Sequence, residues 1–208
     1  MLLKNPHGPI SRILWIIGAT SLFVVAYYWG NQHQRSGADT PWISGVLIRP
    51  ARALPDFDLV NPYGEHFNLA SFAGDWLLLT FADLSQAQGH LAVNRLIQVY
   101  NSLAAEPQLQ KSVRMILVAT TDAPNLARDF SQLSPGFDVL SGDLDERNRL
   151  RAALGMQGTG ADIGVPLFLI DPGSALIALF PLDLPPRDIA ADLSALNENP
   201  HTFTNDNL

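Results

Sequence analysis

Residues Val165–Phe180 read VPLFLIDPGSALIALF: two apolar runs of strand length, Val165–Ile170 and Ala175–Phe180, separated only by Asp171-Pro-Gly-Ser174. Four residues rich in turn formers between two such runs specify a β-hairpin, which commits the chain to an antiparallel strand pair. Upstream, Trp76–Ala82 (WLLLTFA) and Val113–Ala119 (VRMILVA) are continuous apolar runs, the pattern of strands covered on both faces. Between them Val93, Leu96, Ile97, Tyr100 and Leu103 recur at three- and four-residue spacing, which predicts a helix over Ser85–Leu103. A β-α-β unit followed by an antiparallel pair predicts an α/β fold with a mixed sheet.

Working outward, Phe57–Val60 and His66–Leu69 flank Asn61-Pro-Tyr-Gly64 and predict a further hairpin. Leu126–Leu133 reads as a short helix and Asp145–Leu154 as another, ended by Gly155. Ile189, Leu193 and Leu196 line a closing helix, after which Asn197–Leu208, with four Asn, reads as a frayed tail. The order hairpin, β-α-β, helices, β-β-α is the thioredoxin-like arrangement: a mixed sheet flanked by helices. A proline opening the strand at Val165-Pro166 fits a cis peptide there.

The chain has 208 residues, 47% of them hydrophobic and 16% charged, and no cysteine. Without thiols it has no disulfides, thiolate metal sites or sulfur nucleophiles. The net charge is −7, but Lys4, Arg12 and Arg35 stand without any acid before residue 36, so the remainder carries ten basic and twenty acidic residues, a net −10. An acidic domain lacks the basic face that nucleic acid requires. The one cluster, Arg147, Arg149 and Arg151, reads as the solvated face of a helix.

The surplus of apolar residues has a place. Ile13–Gly30 (ILWIIGATSLFVVAYYWG) holds eighteen residues without a charge. As a helix it is about 27 Å long against a bilayer core of about 30 Å. Trp15 near one end and Tyr27, Tyr28 and Trp29 at the other suit interfacial positions. The run ends in bulky aromatics rather than the small residues of a cleavage site, so it predicts an uncleaved transmembrane helix. Lys4 and Arg12 precede it, which predicts a cytoplasmic N-terminus (1–12), the anchor (13–30), a polar tether (31–49), an external domain (50–196) and the tail (197–208). Outside means the periplasm in a bacterium and the intermembrane space in a mitochondrion.

Leu54–Trp76 (LPDFDLVNPYGEHFNLASFAGDW), Phe137–Gly155 (FDVLSGDLDERNRLRAALG) and Pro166–Phe180 together resemble the Sco/SenC family, membrane-anchored thioredoxin-fold copper chaperones of cytochrome c oxidase assembly. The resemblance spans about residues 50–196 and fails where the family's chemistry sits. The family follows its first core strand with F-x-Y-T-x-C-P-x-x-C-P; here the stretch reads Phe81-Ala-Asp-Leu-Ser-Gln86-Ala-Gln-Gly-His90-Leu. Aligned on Phe81, the cysteines become Gln86 and His90, and the place of the family's third ligand, a His, falls near Ile163. Thiolates hold Cu(I) because both are soft, and an amide with one imidazole offers nothing comparable.

The resemblance therefore implies a non-enzymatic, cofactor-free protein of this frame that acts by contact with respiratory oxidase subunits or assembly factors. Its candidate interaction face is Asp83, Gln86, His90 and Pro166. Two other readings stay open at this point: an Asp/His metal or hydrolytic site built from Asp83, Asp122, Asp162 and His90, and a sensory or structural external domain. Ser85 stands at a strand-to-helix turn, but Ser85-Gln-Ala-Gln88 matches a capping box, which assigns its hydroxyl to helix amides. Met156, with no second sulfur nearby, reads as a packing residue.

Overall fold

Trp76–Ala82 forms β4, and all seven of its residues are buried. Its alternate side chains enter two separate apolar layers, as a strand's period of two requires. Trp76, Leu78 and Ala82 belong to one cluster, and Leu77, Leu79 and Phe81 to the other. The apolar run of the sequence thus becomes the central strand of a sheet covered on both faces.

The computed structural model describes residues 20–23, 42–134, 136–156 and 166–199. The chain divides into two units, Met1–Thr40 and Pro41–Leu208. In the first, residues 20–23 are helical; the rest of the expected anchor (13–30), the N-terminal segment 1–12 and the tether up to residue 41 lie outside the described residues. Among the described residues, no helix is long and apolar enough to cross a membrane.

In the second unit the strands run β1 (Val46–Ala53), β2 (Leu59–Val60), β3 (His66–Phe67), β4, β5 (Val113–Ala119), β6 (Phe137–Leu140), β7 (Leu167–Ile170) and β8 (Ala175–Phe180). The helices are α1 (Ala87–Ser102), α2 (Pro107–Lys111), α3 (Pro124–Ser131), α4 (Leu144–Ala153) and α5 (Pro186–Glu198). Among the described residues, six strands form a mixed sheet in the order β1-β8-β7-β4-β5-β6, and β2 and β3 form the small hairpin. β4 pairs parallel with β5, and β7 pairs antiparallel with β4 and with β8. One apolar layer gathers α1, α5 and the inner residues Leu109 and Ala127; the other gathers Leu150 and Leu154 of α4 with Phe57, Leu59 and Phe72. Met156 packs against the second layer, as a packing residue should.

Two expectations need correction, and one strand has no reading in the sequence. Val46–Arg49 are not tether: they open β1, the edge strand antiparallel to β8. Pro50 and two arginines disguise this strand, and the pairing shifts register between Leu47 and Arg52, which is where an edge strand tolerates proline. Phe137–Leu140 is a strand, β6, parallel to β5. Asn197 and Glu198 are the end of α5 rather than the start of a tail, and Asn197 Oδ1 accepts a 3.2 Å hydrogen bond from Trp76 Nε1. The expected cis bond at Val165-Pro166 and residues 200–208 fall outside the described residues; Arg49-Pro50 is cis. In the β7-β8 turn the left-handed residue is Ser174 (φ 68°), while Asp171 Oδ1 accepts from Ala175 N at 2.8 Å.

The three arginines of α4 do more than face solvent. Arg149 pairs with Glu146, Arg147 donates to Gly142 O, and Arg151 lies over the Phe81 ring with 5.4 Å to its centroid. Glu146 also accepts from Asp58 N at 3.0 Å, tying α4 to the small hairpin.

The entry of the chain into the sheet is fixed by Asp192 of α5, which is 4% exposed and accepts from Ser44 N (3.0 Å) and Gly45 N (2.8 Å). A side chain on Gly45 would meet the Phe180 ring at 2.5 Å, so the segment lies flat against β8. Asp192→Ala leaves two backbone donors without their acceptor and is expected to lower stability by about 1–3 kcal/mol in urea titrations. Asp192→Asn keeps one carbonyl oxygen and is expected to lose less.

Candidate functional site

Parallel strands end together, so the loops leaving β4 and β5 are neighbours. Thr120 N donates to Ala82 O at 2.9 Å, which holds the two loops in register. Asp83, the first residue beyond β4, takes Ser85 N (2.9 Å), Ser85 Oγ (2.6 Å) and Thr121 Oγ1 on its Oδ1. These donors, the Ser85 hydroxyl first and Thr121 next, hold the Asp83 carboxyl below its ordinary pKa against a smaller opposing effect of burial.

This network corrects the capping-box expectation. The Ser85 hydroxyl serves Asp83 instead of helix amides, the N-cap of α1 is Gln86, and no side chain caps that end. Asp83 makes an Asx-type turn to the amide two residues on, and the helix begins one residue later than the Ser-x-x-Gln pattern implies. Ser85 is thereby tied up as a donor to a carboxylate that is itself a weak base.

Gln86 borders a cavity of about 480 Å³ together with Asp83, Gln88, Leu91, Arg95 and Leu182. His90 turns elsewhere: its Nε2 lies 2.9 Å from Leu84 O, and its ring meets Phe130 of α3 edge-on at 5.2 Å between centroids. A carbonyl only accepts, so the Nε2 nitrogen carries the hydrogen. Pro166 precedes β7, and its carbonyl accepts from the buried Thr80 Oγ1 at 3.1 Å. The four residues of the expected face thus sit around the exit of β4, with Gln86 toward the cavity and His90 toward α3.

Among the described residues, no three His, Asp or Glu side chains come together as a metal site, so Asp83, Asp122 and His90 do not form the cluster that the hydrolytic reading needs. Asp122 lies with Thr121 on the side toward Ser141 and Asp143. Asp162 lies outside the described residues.

Two residues of this site carry more than their sequence reading. A side chain on Gly89 would stand 2.0 Å from Asp83 O, so the helix packs directly on the turn and only glycine fits. Arg95, the one Lys, Arg, Asp or Glu between Ser85 and Leu103, is 9% exposed and donates to the carbonyls of Pro181, Leu182 and Leu184. A lone charge within an apolar helical stretch was the signal that marks it.

In comparison with solved structures the chain is similar to apo Sco1 of Thermus thermophilus, at 22% identity and a TM-score of 0.59, over 76% of this chain and 99% of that one. It is similar to copper-bound ScoI of Bradyrhizobium japonicum at 18% and 0.54, over 68% and 98%. It is also similar to BsSco, a member of the Sco family of cytochrome c oxidase assembly proteins, at 19% and 0.58, over 71% and 95%. The chain has the Sco fold. No family model matches it, and no curated protein matches it in sequence. The cavity and the Asp83 network lie at the start of α1, the place of Gln86 and His90.

Gly89→Ala forces the helix off the Asp83 turn and is expected to cost about 1–3 kcal/mol, read by urea unfolding. Because the folded pKa of Asp83 is depressed, its contribution to stability is present above the ordinary carboxylate value of about 3.9 and is lost as pH falls through the folded value. Asp83→Asn is therefore expected to flatten the loss of stability on acidification below about pH 4, measured as urea midpoints against pH.

Proposed function

We propose that this chain is a membrane-anchored, non-redox protein of Sco type that acts by protein–protein contact, as an accessory factor in the assembly of cytochrome c oxidase. The observation that carries the reading is the pairing of a Sco fold with a sequence that contains no cysteine. BsSco belongs to a family of cytochrome c oxidase assembly proteins, and ScoI of Bradyrhizobium japonicum has been seen with copper bound. A soft ion such as Cu(I) needs thiolate or thioether ligands, and the aligned positions here offer an amide and an imidazole already bonded to Leu84. What the frame retains is shape, and shape serves docking.

In this reading Ile13–Gly30 spans the bilayer with the N-terminus in the cytoplasm, and the domain stands in the periplasm or intermembrane space. The apolar, charge-free character of that segment supports it. The contact surface is the exit of β4, with Asp83, Gln86, His90 and Pro166. Asp83 holds its negative charge through the low-pH side of neutrality, and Gln86 offers an uncommitted amide at the surface.

Purification of the full chain from membranes in mild detergent is expected to recover oxidase subunits or assembly factors. Gln86→Glu, a negative charge added to the contact face, is expected to reduce that recovery by about tenfold. The isolated chain, exposed to Cu(I) and then desalted, is expected to retain far less than one copper per chain by elemental analysis. Recovery of the chain with no respiratory partner, or stoichiometric copper, would count decisively against this function.

A further inference from the structure

The cavity beside α1 holds a buried charge without an ion-pair partner among the described residues. Arg95 rises from the middle of the helix and is nine-tenths buried. Its Nη atoms donate to the backbone carbonyls of Pro181, Leu182 and Leu184, the last at 2.8 Å, and its Nε has no acceptor. Carbonyls orient a guanidinium without cancelling its charge. Among the described residues, no carboxylate lies within ion-pair distance of Arg95, and Asp183 acts on it only from farther away. A buried cation of this kind is costly unless a counter-charge reaches it.

The cavity supplies further donors on the same side. α1 is sixteen residues long and begins at the cavity rim without a side-chain cap; the Gly89 amide donates to Gln86 O, which leaves the Ala87 and Gln88 amides for an acceptor, and the dipole favours an anion. The lining includes the apolar Leu91, 60% exposed, Leu182, 46% exposed, and Ala92, alongside Gln86 and Gln88. Asp83 also borders the cavity, and its carboxylate disfavours a ligand with a second negative charge nearby. The volume of about 480 Å³ suits one side chain and its flanks.

We propose that this cavity receives a single acidic side chain from the partner protein, flanked by aliphatic residues, with the carboxylate directed to Arg95 and the first turn of α1. The aliphatic neighbours lie against Leu91, Ala92 and Leu182. The proposal rests on the contact function above and names the chemistry of the partner segment. It is favoured over a free metabolite because the cavity opens onto the same surface as Asp83 and Gln86, with large exposed apolar side chains at its mouth.

The probe is the peptide acetyl-Ala-Leu-Glu-Leu-Ala-amide, titrated into the full chain in detergent micelles and read by amide chemical shifts of α1. The Glu peptide is expected to shift the Ala87, Gln88 and Ala92 amides and to bind at least about tenfold more tightly than its Gln counterpart, with weaker binding at high salt. Arg95→Met also unties the Pro181–Leu184 carbonyls, so Leu91→Glu, at an exposed position, is the second variant; it is expected to weaken the Glu peptide by about tenfold or more. Equal binding of both peptides, no binding of either, or binding of hexanoate without the peptide each overturns the proposal. A chain that recovers oxidase subunits yet ignores the Glu peptide sinks the cavity assignment while the contact function stands.

Discussion

β4 has a strand on each side and an apolar layer on each face, and the rest of the domain is arranged by that enclosure. A strand in that position has no polar surface to offer, so its seven residues are apolar except Thr80, whose hydroxyl finds the Pro166 carbonyl. The parallel neighbour β5 requires a crossover, which α1 supplies, and the antiparallel neighbour β7 is delivered by the chain's return from α4. Because β4 and β5 run in the same direction, their exits lie together, and the Asp83–Thr121 network follows from that registration. The site is a consequence of the sheet's topology before any side chain is chosen for chemistry.

The strongly patterned elements were legible in the amino acids because burial on two faces leaves a signature that nothing else produces. WLLLTFA, VRMILVA and the two runs around Asp171–Ser174 become strands close to where the apolar runs fall. β1 and β6 escaped for opposite reasons. β1 is a half-exposed edge that mixes Arg49, Pro50 and Arg52 with apolar residues, so it has no clean period; β6 is four residues long, shorter than a periodic signal needs. The start of α1 was misplaced by one residue because two local motifs compete for the Ser85 hydroxyl, and Asp83 wins through geometry that a linear pattern does not contain. Arg95 and Gly89 were passed over since their importance lies in contacts with residues far along the chain or across a turn.

The frame and the side chains at the start of its first long helix are mismatched. A thioredoxin-like sheet presents the start of its first long helix at the surface, and in the motif this sequence resembles that position carries sulfur. Here the same position carries an amide turned to a cavity and an imidazole engaged with a carbonyl and a phenyl ring. Neither side chain replaces a soft donor. What remains is a surface that is polar at its centre, apolar at its flank and underlain by a buried guanidinium. In the proposed function such a surface would discriminate among partners through complementary charge and shape.

The clasp that Asp192 makes on Ser44 and Gly45 fixes where force enters the domain. Any pull on the chain ahead of Trp42 is received by β1 and β8, at the border of the sheet farthest from β6 and separated from β4 by β7. Load is therefore shared along an antiparallel ladder lying lengthwise, and the Asp83 turn is spared. The surface around Asp83 keeps its form whatever load arrives at Ser44 and Gly45.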